Sequence, residues 1–280
     1  MNKIGYTVWE WSVDNEQEGL PLLSEPQRHV KQAIKDISFL GYRSMEHFNM
    51  IVDFYRDNED EFAGLLEKHN VTFDCIYHSL TGDDEADTFK AEECFRFLNK
   101  VGGQLLSLQA KPRPANNIVS DEELALTAIV ADRIGKLGVE YGVSVCLHPH
   151  YATLIETEYE IDYFAEHTNP EYVNFCLDTG QMAICGMDPV VQFEKHMSRL
   201  IYVHLKDVDP DPKYRNVLLK SFVALGQGTV DIQGVVRLLS EKGYQGILCV
   251  EMDCPKVNNF QSAQYSMQYL RDVVFAGRNI

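Results

Sequence analysis

Four side chains suited to gripping a metal ion each stand directly after a short apolar run. His148 follows VSVCL, Asp178 follows NFCL, His204 follows LIYV and Glu251 follows ILCV. Two imidazoles and two carboxylates would set two negative charges against a divalent cation and leave coordination positions for substrate oxygens. Mixed nitrogen and oxygen donors suit Mn²⁺, Co²⁺, Fe²⁺ or Zn²⁺ better than Ca²⁺. The expected cofactor is a divalent metal; Mn²⁺ is placed first, with Co²⁺, Mg²⁺, Fe²⁺ and Zn²⁺ as alternatives. His150 and Lys206 stand two residues beyond His148 and His204 and could carry protons, and Asp207 and Asp253 follow the ends of the last two strands. A single His at a strand end is usually only hydrogen-bonded, and a single Asp there usually caps the next helix. Four in series carry an argument that none carries alone.

What must position them is a run of strand–helix units. Apolar, β-branched stretches alternate with helical patterns along the whole chain, and eight such units can be counted. The first strand-like run is KIGYTVWEW, followed by a helix in PQRHVKQAIKDISFLGY, where Val30, Ile34 and Ile37 share a face. Ser120 and Glu123 form a capping-box pattern ahead of a long helix with an expected buried stripe of Leu126, Val130, Ile134 and Leu137. Asp188 reads as an N-cap with Pro189 at the first helical position, and another helix opens near Asp231. Continuous apolar strands such as VSVCL and ILCV suit parallel strands covered on both faces. Eight in series close most simply into a single-domain α/β (β/α)8 barrel, residues 1–280, whose catalytic groups sit at the C-terminal strand ends. An open doubly wound sheet is the structural alternative, but no GxGxxG follows an early strand.

Composition narrows the partners. The 42 acidic residues against 25 basic ones give −17, which argues against nucleic acid and against an anionic membrane surface. No apolar run approaches the roughly 20 residues of a spanning helix. The start, MNKIGYTVWEWSVDNEQ, does not read as a signal peptide. Seven cysteines without a CxxC pair read as reduced thiols, with Cys75, Cys146, Cys176 and Cys249 in apolar runs, and point to a cytoplasmic protein.

The stretches CLDTGQMAICGMDP, RLIYVHLKDV, LGQGTVD and GYQGILCVEMD resemble the sugar phosphate isomerase/epimerase superfamily, the xylose isomerase-like TIM barrels. The resemblance spans the chain and is most specific from Val143 to Asp253. It implies one metal held by an acid on strand five, the Asp of a DTGH motif, the His of an HxKD-type motif and a Glu ending strand eight. Asp178, His204 and Glu251 match; His148 replaces the strand-five acid and Gln181 the DTGH histidine. Inosose dehydratases also carry histidines at this point of strand five, and HPHYATLIETEYEID looks like their segment. Gln181 puts in doubt whatever the missing histidine does in relatives. The further histidines of the endonuclease IV zinc cluster are absent, which argues against DNA repair. A homo-oligomer is an expectation from resemblance alone.

Epimerases of this superfamily use two carboxylates on opposite sides of a carbon, and His148 removes one of them. A dehydratase needs one base and one acid beside the metal. The working expectation is metal-assisted β-elimination from a keto-cyclitol or keto-sugar, with Glu251 as base and His150 or Lys206 as leaving-group acid. Elimination from a 3-keto-glycoside would use the same chemistry. Glu46, His78, Gln109 and Gln181 are candidates for binding substrate hydroxyls. Trp9 and Trp11 could stack on a sugar face but suit the core better. Glu156 reads as a helix N-terminal acid, and Lys206, Lys213 and Arg215 could receive a phosphate, although no glycine-rich cradle accompanies them. Two alternatives remain open: a metal-dependent sugar isomerase or epimerase, and a non-catalytic sugar-binding barrel.

Overall fold

The computed structural model describes residues 2–14, 21–214 and 217–276. Eight parallel strands close into a barrel: β1 (Ile4–Thr7), β2 (Ser44–Phe48), β3 (Thr72–Ser79), β4 (Leu105–Gln109), β5 (Ser144–Leu147), β6 (Val173–Asp178), β7 (Leu200–Leu205) and β10 (Leu248–Val250). Strand β1 pairs with both β2 and β10, which completes the ring. Between β7 and β10 a short antiparallel pair, β8 (Asp207–Val208) and β9 (Phe222–Val223), decorates the loop over the C-terminal face. The α/β (β/α)8 barrel expected from the alternation is thus the architecture found. Among the described residues no helix is long and apolar enough to cross a membrane.

Helices form the outer layer, and their ends follow local chemistry. The helix Pro26–Leu40 buries Val30, Ala33, Ile34, Ile37 and Leu40, and stops at Gly41. There φ is +102°, and the Gly41 N–H donates to the Ile37 and Ser38 carbonyls. Ser120 and Glu123 form the expected capping box, and Asp188 and Asp231 each accept a backbone N–H as N-caps. The buried stripe of Asp121–Tyr141 differs from the expectation. Its barrel-facing side is Leu124, Ala128, Ala131, Ile134, Gly135 and Gly138, while Leu126 is 56% exposed. The cause is close approach: a Cβ on Gly135 would lie 2.5 Å from the Tyr172 carbonyl oxygen. Small residues therefore face the sheet, and the larger ones flank it.

Strand β1 is shorter than the run KIGYTVWEW suggested. After Thr7 the chain turns into a 3₁₀ segment, Trp9–Ser12, that buries both tryptophans. Trp11 packs edge-on against Tyr6 and donates to Asp36, while Trp9 stacks on Phe48 at 4.8 Å. Inside the barrel lies an unusual layer for this fold: Cys75, Cys146, Cys176, Cys249 and Tyr202, all fully buried. All seven cysteines are free.

His47 shows how the helix-side layer links stability to pH. Its Nδ1–H donates to the Phe48 carbonyl, its Nε2 accepts from Ser12 Oγ, and burial lowers its pKa to about 4. The unfolded chain binds a proton there below about 6.5, whereas the folded chain resists until about 4. Stability is therefore present above the unfolded value and is lost as pH falls. The expected loss is about 3 kcal/mol between pH 6.5 and 4, and His47→Gln should flatten that part of a Tm-against-pH curve.

Candidate metal centre

Alternation along each strand decides which side chains enter the barrel. On β5, Cys146 and His148 face inward; on β6, Cys176 and Asp178; on β7, Tyr202 and His204; on β10, Cys249 and Glu251. One donor atom from each of His148, Asp178, His204 and Glu251 lies within 4.8 Å of all the others, and all four residues are buried. His148 Nε2 is 3.5 Å from Asp178 Oδ2, and His204 Nδ1 is 3.9 Å from the same oxygen.

Hydrogen bonds on the far side fix which ring nitrogens are free. Tyr77 donates its hydroxyl proton to Gln109 Oε1 at 2.6 Å, so its oxygen accepts from His148 Nδ1–H at 3.0 Å. His148 Nε2 is left with its lone pair toward Asp178. His204 donates Nε2–H to Glu46 Oε2 at 3.0 Å, which leaves Nδ1 facing Glu251. His204 Nδ1 and Glu251 Oε2 are 2.6 Å apart, and Lys206 Nζ reaches the same carboxylate oxygen at 3.1 Å. Nitrogen and oxygen donors this close, with Asp178 Oδ2 3.9 Å from the same ring nitrogen, could share a cation. Protonation is the competing state: burial opposes it, but Glu46 and Glu251 together raise the His204 pKa well above its ordinary value.

Lys206 completes the charge balance. It is fully buried, with Nζ 3.1 Å from Glu251 Oε2, 3.2 Å from Asp253 Oδ2 and 3.7 Å from Asp178 Oδ2, and 4.4 Å from the Phe222 ring centre. Burial would lower its pKa, but Asp253, Glu251 and Asp178 outweigh that and raise it. Glu251, which burial would raise, is held well below the usual carboxylate range by Lys206 and His204. Burial pushes Asp253 up to about 6.

The motif residues have local reasons. Asp178 Oδ1 accepts from Gln181 N–H at 2.7 Å, capping a short helix while Oδ2 faces the centre. Thr179 Oγ1 donates to the Lys206 carbonyl and accepts its N–H. Gly180 clears the Lys206 stem, since a Cβ there would lie 2.8 Å from Lys206 Cγ. Asp207 takes four backbone N–H groups, from Val208, Gly226, Gly228 and Val230, and so folds LGQGTVD against β8.

Several candidates sit differently from expectation. Glu46 backs His204 through Oε2, while its buried Oε1 has no partner. Gln109 likewise accepts from Tyr77. His78 faces the helix layer, because Tyr77 takes the inward position on β3 and its neighbour must point outward; its Nδ1 accepts from Asn49. His150 lies beside His148, with ring centres 5.7 Å apart, but donates Nδ1–H to the Tyr151 carbonyl. Burial, with His148 and Lys206 adding, lowers its pKa to about 3, which favours the neutral ring with Nε2 as an acceptor. Gln181 accepts from Tyr151 N–H and leaves a buried Nε2 donor unpartnered. Glu156, just ahead of the helix Glu158–His167, accepts from Ala152 N–H and faces Arg113. Lys213 pairs with Asp211 and Asp209 rather than standing free for phosphate, and Arg215 lies outside the described residues. Sequence reasoning missed Tyr77, which the alternation of Cys75 and Tyr77 in TFDCIYHS could have signalled. It also missed Glu10, buried in WEWS, whose carboxyl burial raises well above its usual range.

A closed barrel with an N/O donor cluster at its C-terminal rim defines the class, and the chain belongs to the xylose isomerase-like TIM barrel family, whose sequence profile matches residues 32–273. It is similar to inosose dehydratase from Clostridium tetani, 32% identical over 296 residues that cover 96% of each protein. It is also 30% identical over 270 residues to inosose dehydratase from Geobacillus thermodenitrificans, covering 86% of this chain and 89% of that one. Among solved structures, the fold is similar to that of the IolI protein with a bound zinc atom. That likeness has a TM-score of 0.77 at 16% identity and covers 97% of this chain and 98% of the other.

Proposed function

We propose that the protein is a metal-dependent lyase that removes water from a keto-cyclitol, with 2-keto-myo-inositol as the first substrate to test. Similarity to inosose dehydratases over most of both chains supports the substrate class. His148, Asp178, His204 and Glu251 would hold a divalent cation, Mn²⁺ first, and when bound it supplies Lewis acidity to a substrate carbonyl oxygen.

One observation carries the choice of reaction: a carboxylate and an ammonium, Glu251 and Lys206, stand 3.1 Å apart beside the metal donors. Glu251 takes the proton from the carbon next to the ketone. Lys206 gives a proton to the departing β-hydroxyl, which leaves as water, and the electron pair of the broken C–H bond becomes the new C=C π bond. His150, as a neutral acceptor, orients a substrate hydroxyl. An epimerase would need a second proton carrier on strand five, but both nitrogens of His148 are committed, one to Tyr77 and one toward Asp178. A cytoplasmic setting suits the seven free thiols.

The direct test is incubation with 2-keto-myo-inositol and Mn²⁺, followed by mass spectrometry in H₂O and D₂O. Loss of one water with a new ultraviolet chromophore is expected; product of unchanged mass carrying deuterium would favour the isomerase reading instead. Glu46 should act through His204. Glu46→Gln is expected to weaken Mn²⁺ binding by about 10–100-fold, measured by titration, while kcat at saturating metal changes less.

A further inference from the structure

Directly beside the proposed catalytic cation lies a sulfur that the lyase reading does not use. Register pairing of Leu147 with Phe175 sets the following residues, His148 and Cys176, side by side across β5 and β6. One donor atom from each of His148, Cys176 and His204 lies within 4.8 Å of the other two, and all three residues are 0% exposed. The other three interior thiols donate to backbone carbonyls: Cys75 to Ile76, Cys146 to Leu106 and Cys249 to Val250. Cys176 is instead partnered by the neighbouring Cys146 thiol. His204 is also fully buried, with Nδ1 2.6 Å from Glu251 Oε2.

We propose that His148, Cys176 and His204 form a second cation position, one layer into the barrel, that takes soft, thiophilic cations of the Cd²⁺ or Cu⁺ kind. Thiolate with imidazole is a soft donor set, whereas the upper position offers two carboxylates and suits harder ions. On binding, the S–H bond of Cys176 breaks, a sulfur–metal bond forms, and the proton passes to solvent buffer. Both histidines belong to both positions, so the two are occupied in alternation: a soft cation evicts the catalytic one and silences the enzyme. The proposal rests on the catalytic-metal reading only through those shared histidines.

The test is a Cd²⁺ titration of metal-free protein carrying Cys185→Ser and Cys254→Ser, which removes the two thiols that are not fully enclosed. A thiolate-to-cadmium ultraviolet band should grow to one equivalent. Cys176→Ser should abolish the band and weaken Cd²⁺ binding at least about tenfold, with Mn²⁺ affinity changed less than about twofold. Cys146→Ser, an equally buried neighbour, should keep the band. Saturating Mn²⁺ should suppress it. A band that survives Cys176→Ser, no band in the parent, or Mn²⁺ and Cd²⁺ bound together would each overturn the proposal. A Cys176-dependent band in a protein that binds no Mn²⁺ would instead overturn the catalytic-metal reading and leave the thiol position standing.

Discussion

Glu251→Gln is expected to lower kcat by at least about 10³-fold with metal saturating, because it removes a proton acceptor and a cation-facing charge together. General-base catalysis alone contributes about 10²–10⁴-fold, and charge stabilisation by a metal adds several kcal/mol. The substitution keeps the volume and planarity of the side chain. Lys206 retains Asp178 at 3.7 Å and Asp253 at 3.2 Å, so the ammonium is not stranded. The barrel should therefore melt as a folded protein in circular dichroism while turnover of 2-keto-myo-inositol collapses. Activity within about tenfold of the native protein would remove Glu251 from the base role.

The second large effect concerns stability as well as rate. Lys206→Met keeps most of the side-chain length against Gly180 but leaves Asp178, Glu251 and Asp253 without their buried cation. Breaking a buried ion pair by removing one partner costs about 3–5 kcal/mol. For a chain of this size that lowers Tm by about 10 °C in the metal-free protein. A divalent cation restores positive charge among the same carboxylates, so saturating Mn²⁺ should recover part of the loss. The catalytic defect, about 10²–10⁴-fold in kcat, should persist, because the cation cannot donate the proton assigned to Lys206 in the proposed mechanism. An unchanged Tm without metal would mean that the three carboxylates do not depend on Lys206.

Much of this was legible in the chain because barrel chemistry is periodic. An apolar run ending in His, Asp or Glu announces a strand end, and four such runs in series announce one rim; His148, Asp178, His204 and Glu251 converge as that pattern implies. Strand parity was the harder signal. In TFDCIYHS the polar His78 drew attention, yet the inward position belongs to Tyr77, because side chains alternate and Cys75 faces the axis. Partner identity was not readable at all. Glu46 and His204 are 158 residues apart in sequence, and only closure of the ring through β1 brings their strands near. The same holds for the three carboxylates that surround the fully buried Lys206. One helix face, that of Asp121–Tyr141, differed for another reason: Gly135 and Gly138 let the helix press on the sheet, so Ile134 is buried as expected while Leu126 is exposed.

The central claim is a single divalent cation held by four side chains from β5, β6, β7 and β10. Anomalous diffraction from crystals grown with Mn²⁺ measures this directly. One strong peak is expected, bonded at about 2.0–2.3 Å to His148 Nε2, Asp178 Oδ2, His204 Nδ1 and Glu251 Oε2. A peak elsewhere, or none while those side chains keep their present positions around Lys206, would contradict the account.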